Sequence, residues 1–119
     1  MSGLVYFPRL AAVKVMNSIR VKVNGSLRRF MDERGMPYEC ERVIDESGVK
    51  AVEIIADLGL PLHMVEAVFC NGRVINIYDK VKPGDRLALF PFGTPGPYRV
   101  FLGMLRENLR RKRIEGVDN

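Results

Sequence analysis

The chain is short of the residues that do chemistry. Its 119 residues include one histidine, two cysteines and no tryptophan. A metal site needs several ligands close together. His63 stands alone between an expected helix and an expected strand, so it reads as a solvated loop residue. Cys40 and Cys70 fall in separate expected strands, and neither belongs to a CxxC pair or a Cys/His cluster. That excludes a zinc ribbon and leaves two buried free thiols, as expected of a cytosolic protein. Glycine-rich phosphate loops are missing. Asp32-Glu33 and Asp45-Glu46 are adjacent pairs at turns, where they are expected to cap helices rather than to face each other across a site. No apolar run is long enough to span a membrane, and the N-terminal LVYFP stretch is cut off by Arg9. The start lacks the basic, apolar, small order of a signal peptide, so the expected location is cytoplasmic. Repeats and low-complexity tracts are absent. Nothing here assembles a catalytic constellation, and no metal or cofactor is expected.

What is present describes one globular domain. Hydrophobic residues make up 47% and charged residues 28%, enough for a single core. The net charge of +5 is unevenly placed. Residues 1–98 carry 13 basic and 11 acidic side chains, whereas residues 99–119 carry 6 and 3, so the basic character belongs largely to the tail.

The chain is organised around Val65–Phe92. Ala67–Cys70 is a short apolar run, and Asn71-Gly72 is a strong hairpin signal because both residues tolerate positive φ. Val74–Ile77 returns. Lys82-Pro83-Gly84-Asp85 turns again, with Pro83 presetting φ and Gly84 free to be left-handed. Arg86–Pro91 is the last strand, with Leu87 and Leu89 on one face and Ala88 and Phe90 on the other.

Upstream, Ser18–Val23 alternates Ile19, Val21 and Val23 with Arg20 and Lys22, a half-buried strand. Asn24-Gly25 turns the chain. Leu27 and Phe30 follow at helical spacing, and the polar run Tyr38–Val43 suits an edge strand. Asp45-Glu46-Ser47-Gly48 predicts a helix start with Ser47 as cap. The helix is expected over Val49–Leu58, with Val49, Val52, Ile55, Ala56 and Leu58 on its apolar stripe and Gly59 as the stop. After Phe92 comes the Gly/Pro link 93–98. Tyr98–Ile114 then reads as a helix, with Phe101, Leu105 and Leu109 recurring at i, i+4, i+8 beside Leu102. The arm 1–17 is apolar and reads least clearly.

The order "VFCNGRVI", Asp79, "GDRLALFP" resembles the C-terminal half of the small β-grasp sulfur carriers, the molybdopterin-synthase small subunit (MoaD) and the thiamine sulfur carrier (ThiS). The likeness covers residues 18–92, and the TGS domains of RNA-associated enzymes share a weaker form of it. It implies an α+β, ubiquitin-like β-grasp: a mixed sheet packed on one main helix, here with an added C-terminal amphipathic helix. It also implies a non-catalytic protein working with a protein partner, an activating enzyme or a molybdopterin-synthase-like subunit, in molybdenum or tungsten cofactor assembly or sulfur transfer. In the carriers a flexible Gly-Gly follows the last strand and threads into a narrow active site, because residues without Cβ pass where others cannot. Here Phe92-Gly93-Thr94-Pro95-Gly96 follows Pro91, with its glycines single and more chain behind them. A carrier terminus is therefore expected only after cleavage behind Gly93 or Gly96.

Two surfaces are candidates. Phe90, Phe92, Gly93 and Tyr98, with Phe101 and Leu105 of the C-terminal helix, form a candidate partner-binding surface, unless that helix folds back through Phe101 and Leu105 and covers it. Arg106, Arg110, Arg111 and Arg113 are candidate nucleic-acid contacts for a TGS-like, RNA-associated module. Their alternative is to complement the helix dipole and keep the helix soluble, and no aromatics for base stacking are interleaved with them. A third reading is a homodimer paired through the terminal additions 1–17 and 99–119.

Overall fold

The computed structural model describes residues 17–93 and 102–116. The arm 1–16, the link 94–98 with Tyr98, Phe101 and the last three residues lie outside the described residues.

Strand β1 (Ser18–Val23) lies near the middle of a five-stranded sheet. The strands are ordered β2 (Glu39–Val43), β1, β7 (Arg86–Pro91), β4 (Val65–Cys70) and β5 (Arg73–Ile75). The β1–β7 pair is parallel, with Val21 opposite Leu87, and the other three pairings are antiparallel. First and last strands thus sit side by side. Their alternating apolar residues, Ile19, Val21, Val23, Leu87 and Leu89, face one way into the core. On that face lie α1 (Arg28–Glu33), which follows a 3-10 turn at Gly25–Leu27, and α2 (Ala51–Asp57). A single sheet needs this second layer to hide its apolar face. Ile54, Ile55 and Leu58 join Leu27, Met31, Val68 and the strand residues in one cluster. The arrangement is the expected α+β, ubiquitin-like β-grasp with a mixed sheet.

The structure departs from expectation at the start of α2. Val49–Lys50 forms a short strand, β3, paired antiparallel with β6 (Lys80–Val81). This two-stranded piece takes the residues that helical periodicity assigned to the first turn. Ser47 therefore does not cap the helix. Its N–H and hydroxyl both bond the Asp45 carboxylate, closing a turn in which the Gly48 N–H also reaches the Asp45 carbonyl. The helix begins after Lys50, whose N–H donates to Glu53 Oε2 at 3.3 Å. The buried stripe becomes Ala51, Ile54, Ile55 and Leu58, with Ala56 exposed. A like shift holds around α1, where Leu27 of the preceding 3-10 turn and Met31 are the fully buried pair and Phe30 is only partly covered. Asp32 caps no helix; its carboxylate accepts the Tyr38 hydroxyl at 2.6 Å.

α3 (Leu102–Ile114) is the one described element outside the grasp itself. It lies along β4 and β5, and Met104 is its one buried apolar side chain among the described residues.

Candidate partner-binding surface

The far end of β7 is held from several sides. At one end of the strand the hairpin Asn71-Gly72 adopts φ of 54° and 86°, as a type I′ turn requires. Asn71 Nδ2 donates to Asp85 Oδ1 and Asn71 Oδ1 accepts the Arg86 N–H, each at 2.9 Å. The Asp85 carboxylate also accepts the Lys82 N–H at 2.8 Å, so two turns share one clamp. Burial works against the Asp85 carboxylate, but donation from Lys82, Asn71 and the Cys70 thiol outweighs it and holds its pKa below the usual carboxylate range. The same burial, followed by the Asp85 charge and hydrogen bond, pushes the Cys70 thiol up to about 11. Cys70 is thus an inert thiol.

At the other end, Asn24 Nδ2 donates to the Leu89 carbonyl at 3.2 Å. Gly25 follows with φ of 61°, and a Cβ there would stand 2.9 Å from Pro91 Cγ. Glycine is needed both for the left-handed backbone and for the close approach. With Pro91 pinned, the side chains beyond it emerge in a set direction. Phe90 lies on the outward sheet face, edge-on to Phe69 with ring centroids 5.4 Å apart. Phe92 is 52% exposed although its N–H reaches back to the Met64 carbonyl at 3.4 Å. Gly93 is exposed beside it. The structure therefore brings Phe90, Phe92 and Gly93 to one end of the sheet, while Tyr98 and Phe101 lie outside the described residues.

α3 docks with its polar side. Arg111 donates to the Val65 carbonyl at 2.7 Å and the Leu62 carbonyl at 3.1 Å. Arg110 pairs with Asp79 at 3.0 Å and with Glu107 at 3.1 Å. Asn76, which is 2% exposed, donates to the Glu107 carbonyl and carboxylate. The Tyr78 hydroxyl donates to Glu115, which also holds Arg111 at 3.0 Å. Burial raises the Glu115 carboxylate, but Tyr78 and Arg111 outweigh it and leave its pKa lowered. Leu105 and Leu109, by contrast, are 51% and 55% exposed. The helix does fold back, yet Leu105 is not the residue that covers the sheet. Of the candidate nucleic-acid contacts, Arg110 and Arg111 are spent on the body of the protein, while Arg106 and Arg113 stay exposed. Sequence reasoning overlooked Asn76, Tyr78 and Asp79 as the helix's landing ground. Their signal was the polar positions Asn76, Tyr78 and Asp79 around the buried Ile77, directly after β5.

Among the described residues no group of three or more His, Cys, Asp or Glu could hold a metal ion. No helix among them is long and apolar enough to cross a membrane.

Fold and strand order define the class, a ubiquitin-like β-grasp protein. The family model described as Mut7-C ubiquitin matches residues 16–95, and the chain belongs to that family. Among solved structures, SAMP1 from Haloferax volcanii is similar, with 19% identity and a TM-score of 0.45 over 66% of this chain and 99% of that one. No curated protein matches.

Proposed function

We propose that this chain is a non-catalytic, protein-binding member of the ubiquitin-like superfamily, with residues 18–92 as its working domain. Phe90, Phe92 and Gly93, continuing through Tyr98 of the link, form the contact. The observation that carries this reading is the exposure of Phe92 directly after the buried and pinned Pro91. A large aromatic presented at a rigid strand end is a typical anchor for a partner pocket. The resemblance to the carriers makes the partner an activating enzyme or a molybdopterin-synthase-like subunit, in molybdenum or tungsten cofactor assembly or sulfur transfer. The RNA-associated reading draws support only from Arg106 and Arg113, because the other two arginines are engaged within the fold.

The test is calorimetric titration of the full chain into such an activating enzyme and into the synthase large subunit from the same organism. Phe92→Ala is expected to weaken binding by about tenfold, roughly 1.4 kcal/mol. Absence of binding to both proteins overturns the assignment. The intact mass of the cellular protein adds the processing state: a form ending at Gly93 or Gly96 would make the chain a processed carrier.

A further inference from the structure

An amphipathic helix on a globular body ordinarily turns its apolar side inward. Among the described side chains of α3 the reverse holds: Met104, Glu107, Asn108 and Arg111 land on the body, whereas Leu105 and Leu109, one turn apart on the same face, point to solvent. Around these leucines the exposed rim is basic: Arg106, Lys112 and Arg113. Glu107 of α3 and Glu115 just past its end bond Asn76, Tyr78, Arg110 and Arg111 on the body side. Arg106 lies 3.7 Å from the Glu107 carboxylate, so Lys112 and Arg113 are the rim cations without a carboxylate within ion-pair distance among the described residues.

We infer that this outward face of α3 is a second docking site, taking an amphipathic segment of a partner protein whose apolar residues are flanked by Asp or Glu. It goes beyond the Phe92 surface and rests on the protein-binding reading only for the kind of occupant. Charge decides among the candidates. A second copy would set Arg106, Lys112 and Arg113 against the same cations, and like charges facing each other across an interface oppose association. The arm 1–16 of this chain is no better, since it carries Arg9 and Lys14 and no acidic residue. A bilayer demands a broad apolar face, and two leucines are too narrow. Phosphates would find the cations but leave both leucines in water. A segment with an apolar centre and a carboxylate rim satisfies both features, lying along the helix as a groove-bound amphipathic helix does.

The experiment uses the full chain, isotope-labelled, titrated with a short synthetic helical peptide bearing leucines on one face and glutamates on both flanks. The expected result is saturable shifts of the 104–113 amides, weakening as salt rises. Leu105→Ser with Leu109→Ser is expected to cut affinity at least about tenfold, with an unchanged melting curve because both side chains are exposed. R106E/K112E/R113E should exchange the preference for that of a lysine-flanked version of the peptide. Phe92→Ala should leave this binding intact while weakening the partner of the first surface, so the two readings fail separately. The inference is overturned by no shifts, by equal binding of the lysine-flanked peptide to the unaltered chain, or by α3 shifts produced instead by anionic vesicles or single-stranded RNA.

Discussion

Asn71 and Asp85, fourteen positions apart, hold the β4–β5 hairpin against the turn that launches β7. The amide donates and the carboxylate accepts, so the pair has a polarity that substitution can reverse. Asn71→Asp keeps a side chain that tolerates the left-handed backbone but sets two carboxylates against each other. It is expected to destabilise the fold by roughly 1–3 kcal/mol, the cost of an unsatisfied or repelled polar group. Urea unfolding at neutral pH measures it, and the loss should shrink in acid, where the new carboxylate is protonated.

Asp85 sets a pH dependence. Its folded pKa lies below its ordinary value of about 3.9. The stabilisation it provides is therefore complete above that unfolded value and is lost as pH falls through the lower, folded one. Melting temperature is expected to drop below about pH 4. Asp85→Asn should lower the melting temperature at pH 7 and flatten part of that acid limb. An identical acid limb in the variant would refute the assignment.

The same substitution should wake Cys70. Burial is the larger reason its thiol is pushed up to about 11, but the Asp85 charge and hydrogen bond add to it. Removing the charge raises the thiolate fraction, and the thiolate is the reacting species. Alkylation of Cys70 at pH 8, followed by mass spectrometry, is expected to run several-fold faster in Asp85→Asn. Cys40, buried and on the far strand β2, serves as the internal control.

α3 should detach without unfolding the grasp. Arg111 holds two carbonyls of the 62–65 segment and the Glu115 carboxylate. Arg111→Ala leaves the Val65 carbonyl without that donor and is expected to cost roughly 1–3 kcal/mol, mostly in helix docking. Hydrogen exchange is the readout: amides of 104–114 should speed up while those of β1 and β7 stay protected.

Gly25→Ala tests the pin at Pro91. It combines a positive φ with a Cβ 2.9 Å from the proline ring. A loss of about 1–3 kcal/mol is expected, as for other strained backbone positions, together with shifted resonances for Phe90 and Phe92. A neutral substitution would mean the strand end is not held from this side.

The four longer strands β1, β2, β4 and β7 could be read from the chain because their signals are local, while β5 runs over Arg73–Ile75 rather than Val74–Ile77. Ser18–Val23 alternates along its whole length, and Asn71-Gly72 and Gly84-Asp85 permit few backbones other than turns. The pair β3 and β6 could not be read that way. Val49-Lys50 and Lys80-Val81 are two residues each, too short for any period, and they become strands only because they meet in space. Helical periodicity claimed Val49 instead and moved the whole stripe of α2, hiding Ile54. The orientation of α3 was illegible for a related reason. Its leucine spacing is a sound helix signal, but which side lands depends on Asn76, Tyr78 and Asp79, residues from another part of the chain. At the candidate site, the sequence offered Phe90 and Phe92 as candidates but left open whether the C-terminal helix covers them; the exposure of Phe92 and the basic rim around outward leucines needed the structure.

The parallel pairing of β1 with β7 also sets a kinetic order. Asn24 bonds Leu89 across 65 positions of chain. Until β7 exists, β1 has one open edge and half the core has no opposite wall. Closing so long a loop is entropically unfavourable before its contacts form, and such non-local pairings slow folding. Folding should therefore be single-step and comparatively slow, with no stable N-terminal half. During synthesis β1 lacks its parallel partner until the last strand arrives.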